Sequence, residues 1–146
     1  MICKVGIICA GDREFAPFIP HIERARTHQR AMLTIHEGEI AGVPVAGLFS
    51  GVCKVNAAIA AQCLIDHCGV DAVINAGTAG AMDARLSLLD TVIATETAYH
   101  DVAPHILTEF HPWLDSAYFA SDAELLRLSR IAADRTGRTN STFWGR

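Results

Sequence analysis

Asp71-Ala72-Val73-Ile74-Asn75-Ala76-Gly77-Thr78-Ala79-Gly80 changes character halfway along. Asp71 to Asn75 is a short apolar run with β-branched residues, the pattern of a buried strand. Ala76 to Gly80 is small and glycine-rich, so the strand end opens onto backbone that a ligand can approach closely. Its spacing is G-x-x-G and lacks the three-glycine fingerprint of a dinucleotide site, which argues against a nucleotide cofactor. Thr78 can donate a hydrogen bond from such a turn; close packing of the glycines is the plainer alternative.

Upstream, the same design recurs twice. Lys4 to Cys9 reads as a buried strand ending in Ala10-Gly11-Asp12. Val43 to Phe49 reads as another, ending in Ser50-Gly51 and followed by a helix from about Lys54 to His67. Val55, Ile59 and Cys63 give that helix its spacing, and Gly69 is placed to stop it. Ala31 to Glu39 is a further strand, with Ala41-Gly42-Val43-Pro44 as a hairpin turn before the next. Glu14 to about Arg26 is expected to be helical, made irregular by Pro17 and Pro20. Downstream, Asp90 to Thr95 is a strand, and Ala98 to Tyr118 reads as loop. Ser121 and Glu124 stand at capping-box spacing before a helix that Gly137 ends, and Asn140 to Trp144 begins one more strand. Alternation of strands and helices predicts an α/β sheet covered by helices.

In such sheets ligands bind at the carboxyl ends of strands. Cys9 to Glu14, Ser50 to Asn56 and Asn75 to Gly80 all lie at such ends, and their convergence is the main pointer to a site. Glu14 there can polarise a water or hold a sugar hydroxyl; alternatively Asp12 and Glu14 only complement a helix dipole. The run from Ser50 can meet an anion or a hydroxyl-rich ligand at a helix start, although it lacks P-loop spacing and can equally be a simple turn.

Composition narrows the function classes. The chain has 146 residues, 51% hydrophobic and 19% charged, with a formal net charge of -4. This suits one domain with a real core, and the absence of a basic stripe argues against nucleic acid. The apolar run at Met1 to Ile8 is too short for a membrane span and lacks the marks of a signal peptide. Five cysteines without a C-x-x-C pair read as reduced thiols of a cytoplasmic protein. The histidines show no metal-ligand spacing, so no metal is expected, and His100-Asp101 has no accompanying nucleophile motif. Ile106, Leu107, Phe110 and Trp113 form an apolar cluster between Pro104 and Trp113, either a partner surface or a local mini-core.

Taken in order, these segments resemble one family. Gly6-Ile7-Ile8 followed by Glu14, the run Ser50-Gly51-Val52-Cys53-Lys54-Val55-Asn56-Ala57-Ala58, the strand end Asn75-Ala76-Gly77-Thr78-Ala79-Gly80, Asp90-Thr91-Val92 and Tyr99-His100-Asp101 are together similar to the 5′-methylthioadenosine/S-adenosylhomocysteine nucleosidases. The resemblance runs from Ile2 to about Ser129. It implies a nucleoside phosphorylase-like fold, α/β with a mixed central sheet flanked by helices, and a homodimer without cofactor. It implies hydrolysis of the N-glycosidic bond of a thioether nucleoside, releasing adenine through a ribosyl cation-like state. By position Glu14 would be the carboxylate that orients and deprotonates water. Ala10, Ser50, Thr78, Ala79 and Gly80 would line the substrate.

The chain departs from the family pattern at Gly11, where a methionine is usual, and at Cys53 and Leu89, where glycines are usual. The family's later segments, with the ribose-holding glutamate and the aspartate that assists adenine protonation, have no counterpart here; Asp122 and Asp134 are expected to be helical. Residues 1–146 are therefore expected to form one incomplete nucleoside phosphorylase-like domain lacking its C-terminal part. A purine or uridine nucleoside phosphorylase is the alternative enzyme. Phosphorolysis needs cations for phosphate, and only Arg13 stands near the first strand end. A non-catalytic fragment or binding module is the other alternative.

Overall fold

The computed structural model describes residues 2–111, 113–138 and 141–145. The chain divides into two compact units, Met1–Gly80 and Ala81–Arg146. In the first, β1 (Val5–Cys9), β2 (Glu23–Arg30), β3 (Leu33–Ile40), β4 (Val43–Phe49) and β5 (Ala72–Asn75) form one mixed sheet in the order β2-β3-β4-β1-β5. β1 runs parallel to both β4 and β5, while β2, β3 and β4 form an antiparallel meander. The three expected strands around the site thus lie side by side.

Alternation along the strands sends residues to two cores. On one face, Ile8, Leu33, Ile35, Ala46 and Leu48 pack with Ala60, Leu64 and Cys68 of α2 (Lys54–Cys68). On the other, Ile7, Cys9 and Val45 pack with Phe15 and Ile22. Each fully buried side chain of this size contributes about 1.5–3 kcal/mol. α2 stops at Gly69, whose φ of +62° is the left-handed cap a Cβ would oppose.

The segment after β1 differs from the sequence expectation. Instead of a helix to about Arg26, there is one turn of helix, α1 (Asp12–Phe15), a 3-10 turn at Ile19–His21 and then β2. Pro17 and Pro20 lack the N–H groups that a continuing helix needs. β2 is exposed along its whole length, so it carries no apolar alternation to announce it. The strand expected from Ala31 begins at Leu33, because Ala31 and Met32 form the two-residue turn between paired Arg30 and Leu33.

In the second unit, β6 (Thr91–Ala94) pairs in parallel with β9 (Thr142–Gly145), and β7 (Glu96–Ala98) pairs antiparallel with β8 (Tyr118–Ala120). The expected loop from Ala98 to Tyr118 contains a helix, α3 (Pro104–Phe110), with its proline at the first helical position, where a missing N–H costs nothing. α4 (Ala123–Arg135) is capped by Asp122, whose carboxylate accepts from the Leu125 N–H at 2.9 Å. Ser121, the expected cap, instead donates its hydroxyl to the Ala94 carbonyl at 2.7 Å. Trp144 of β9 donates its indole N–H to Ser129 of α4 at 3.0 Å, and Arg130 lies over its ring. The expected strand start at Asn140 lies outside the described residues.

Candidate active site

All the residues expected at the site fall in the first unit. The ends of its central strands are tied together by backbone. The Ser50 N–H donates to the Cys9 carbonyl at 2.8 Å, and the Ala76 N–H donates to the Ile8 carbonyl at 2.9 Å. These bonds continue the parallel ladders past the last paired residues, so the chain leaves β1, β4 and β5 at one edge.

Glu14 stands at this edge, and its carboxylate is held by three donors. Oε1 accepts from the Thr78 N–H at 2.7 Å and from the Thr78 hydroxyl at 2.8 Å. Oε2 accepts from the Gly11 N–H at 3.0 Å, so the side chain also closes its own helical turn, where Gly11 has no side chain to do so. The hydrogen bonds from Thr78, backbone first and then hydroxyl, hold the Glu14 carboxyl below its usual range, with Gly11 adding to the effect. Glu14 is consequently ionised at neutral pH, beside the exposed backbone of Thr78, Ala79 and Gly80.

Thr78 donates its hydroxyl proton to Glu14 and keeps oxygen lone pairs that can accept from a ligand hydroxyl. Ser50 is 8% exposed and fastens the β4 end, with its hydroxyl 2.7 Å from the Gly51 carbonyl and 3.3 Å from that of Cys9. Ala10 is exposed between β1 and α1. Glu14, Thr78, Ser50 and Ala10 are thus brought to one sheet edge, with Ala79 and Gly80 following Thr78 in the chain. Burial first, and then the charge of Glu14, raises the Cys9 thiol above its usual range, which keeps it neutral and unreactive.

Gly77 contributes in a way the spacing did not reveal. A Cβ there would stand 2.9 Å from Glu14 Oε1 and 3.2 Å from its carboxyl carbon. Hydrogen at this position is what lets the carboxylate lie against the strand end. Cys53 also acquires a physical meaning: it precedes α2 with φ 82° and ψ 153°, a conformation suited to glycine.

A second cluster lies elsewhere in the unit. Donor atoms of His28 on β2, Glu37 on β3 and Cys68 at the end of α2 fall within 4.8 Å of one another, a grouping invisible to linear spacing. Lys4 sends its ammonium to Glu37 Oε2 and to the Cys68 carbonyl, so the carboxylate already has a cation. The cysteines among the described residues are free thiols, and no helix among those residues is long and apolar enough to cross a membrane.

Comparison with known proteins agrees with the fold. The family model described as "Phosphorylase superfamily" matches residues 4–142. A 5′-methylthioadenosine/S-adenosylhomocysteine nucleosidase of Chromohalobacter salexigens is 36% identical over 137 residues, covering 92% of this chain and 58% of the relative. The nucleosidase of Neisseria meningitidis, solved with methylthio-immucillin-A, superposes with a TM-score of 0.86 at 34% identity, over 98% of this chain and 62% of that one. That of Colwellia psychrerythraea, solved with adenine, gives 0.84 at 32% identity, over 99% and 60%. The chain therefore spans about three-fifths of the length of these relatives. It belongs to the phosphorylase superfamily.

Proposed function

We propose that this chain carries the water-holding half of an N-glycosidic hydrolase acting on 5′-methylthioadenosine and S-adenosylhomocysteine. The observation that carries the reading is the Glu14 carboxylate, ionised and held by Thr78 and Gly11 at a strand edge where ligands of α/β sheets bind. An anion fixed there stabilises positive charge as the ribosyl centre becomes cationic. Its low basicity is no obstacle. Water that reaches a cation becomes strongly acidic as the new bond forms, so a weak base suffices to take its proton late. Thr78 orients the carboxylate and has lone pairs for a ribose hydroxyl. Ser50, Ala10, Ala79 and Gly80 shape the substrate's approach.

Adenine departure calls for an acid on the opposite side of the scissile bond. We place it in the part of the relatives that this chain does not span, and read residues 1–146 as one incomplete nucleoside phosphorylase-like domain. A homodimer is part of the same reading. It is supported by Phe110 and Trp113, which are 65% and 73% exposed, with Ile106 beside them, whereas Leu107 of the same segment is buried within its own unit. Free thiols support a reducing, cytoplasmic setting.

Adenine release tests the proposal in three proteins: this chain, this chain extended by the downstream segment of the Chromohalobacter salexigens relative, and the extended chain carrying Glu14→Gln. The first should be without enzyme-like turnover. The second should hydrolyse methylthioadenosine equally well with and without phosphate, which separates it from a phosphorylase. The third should lose about 10²–10⁴-fold. Robust turnover by the short chain, or an unaffected Glu14→Gln protein, overturns the assignment.

A further inference from the structure

We propose that Phe15 and Gly47 are a fitted positioning pair that sets where the Glu14 carboxylate stands. The inference rests on reading Glu14 as the water-holding group. α1 is a single turn, Asp12–Phe15, and its N-cap Gly11 offers no capping side chain. One isolated turn of helix does not hold itself, because nucleation fixes several residues for one hydrogen bond. Contacts beyond the turn must therefore anchor it, and its last residue, Phe15, makes them with the core.

Phe15 is 1% exposed and lies in the core with Ile7, Cys9, Ile22 and Val45. Its ring stacks on Phe18 at 6.2 Å between centroids and leans on His36 at 5.5 Å. Beneath it is Gly47 of β4, paired with Ile7 on one side and His36 on the other. A Cβ at Gly47 would come within 2.6 Å of Phe15 Cε2 and 2.8 Å of Cζ. These are atoms of a rigid, enclosed ring, not the end of a flexible chain, so the ring cannot yield without dragging α1. The glycine on β4 is the seat and the ring is the key. Glu14, one residue before the ring, inherits its height above the strand ends from that contact. Neither residue faces the substrate, so both act through Glu14.

A matched substitution follows from the geometry. Leucine lacks both Cε2 and Cζ, the two atoms that an added methyl at position 47 would strike. Gly47→Ala alone lifts the ring and Phe15→Leu alone leaves a gap, while the double variant Phe15→Leu/Gly47→Ala refits the pair.

The test uses this chain with ¹³C-labelled glutamate, the Glu14 carboxyl being assigned through Glu14→Gln, together with amide exchange at Thr78 and Gly11. In each single variant the Glu14 titration is expected to move up toward the ordinary glutamate range. Exchange of the Thr78 amide should quicken about three- to tenfold, the worth of one weakened hydrogen bond. The double variant should return both readouts toward the parent. If Gly47→Ala does not fold, comparing Phe15→Leu with the double variant decides the matter alone. A folded single variant with unmoved Glu14 and Thr78 signals, or a double variant no better than the singles, overturns the proposal. Because no turnover is measured, this result is separate from whether Glu14→Gln abolishes adenine release in the extended chain.

Discussion

At the scale of single residues, the candidate site is an arrangement around one charge. Glu14 has its two oxygens assigned by Thr78 and Gly11, and Gly77 leaves just enough room beside them. Gly77→Ala would drive a methyl against Oε1, and the carboxylate would have to swing away from Thr78. Misplacement of about 1 Å in a catalytic group commonly costs about 10²-fold. Adenine release by the extended chain should fall by that order while its urea midpoint changes little, and a Gly77→Ala protein with parental turnover would show that the contact is loose. Glu14 and Thr78 were legible beforehand because both sit at strand ends, and the strand-end rule needs only local pattern. Gly77 was not, since spacing cannot say which side chain, 63 residues upstream in sequence, will lie over a given glycine.

At the scale of elements, legibility followed the strength of local signals. β1 and β4 were readable because their apolar runs are what they bury. α2, read from Val55, Ile59 and Cys63, instead buries Ala60, Leu64 and Cys68, and β5, read as a buried strand, leaves Ile74 and Asn75 exposed. β2 was not readable, because its polar residues cover an edge and its turn to β3 uses Ala31 and Met32 at positive φ, without the Asn or Gly that ordinarily marks such a turn. By contrast, Ala41 and Gly42 gave the next hairpin away. α3 falls in the stretch from Ala98 to Tyr118 that reads as loop, although its Pro104 is compatible with a first helical position. The start of α2 allows a direct test. Cys53 holds φ 82° and ψ 153° with an exposed side chain, so it bears backbone strain without buried packing in return. Cys53→Gly should relieve that strain, about 1–3 kcal/mol, against an unfolded-state entropy cost of about 0.5–1 kcal/mol. A net gain of about 1 kcal/mol in urea unfolding is expected; a loss would mean that the thiol makes a contact worth more than the strain.

At the scale of the whole molecule, acid should weaken the chain through carboxylates that the fold has made more acidic. Hydrogen bonds from Thr78 and Gly11 lower Glu14 from an ordinary 4.5, and those from the Cys3 and Lys4 amides lower Asp71 from 3.8. Arg85 lowers Asp83 to about 2. A depressed folded-state value means that the unfolded chain binds protons first as pH falls. The stabilisation is therefore complete at neutral pH and is lost progressively below the ordinary values, through the folded ones. Urea midpoints should be level between pH 7 and pH 6 and drop below about pH 4.5, with Glu14→Gln showing a shallower drop. A midpoint that rose on acidification would contradict the hydrogen bonds described for Glu14 and Asp71.

The placement of β1 has a consequence in time. It is synthesised before both of its partners, β4 and β5, with Val5 opposite Val45 and Ala72. The β2-β3-β4 meander can close through short hairpins as soon as it exists, whereas β1 must wait for distant chain to arrive. On the ribosome, its apolar Val5-Gly6-Ile7-Ile8-Cys9 face stays uncovered on one edge until β5 has emerged. Chaperone capture and misassociation of the nascent chain would be concentrated in that interval.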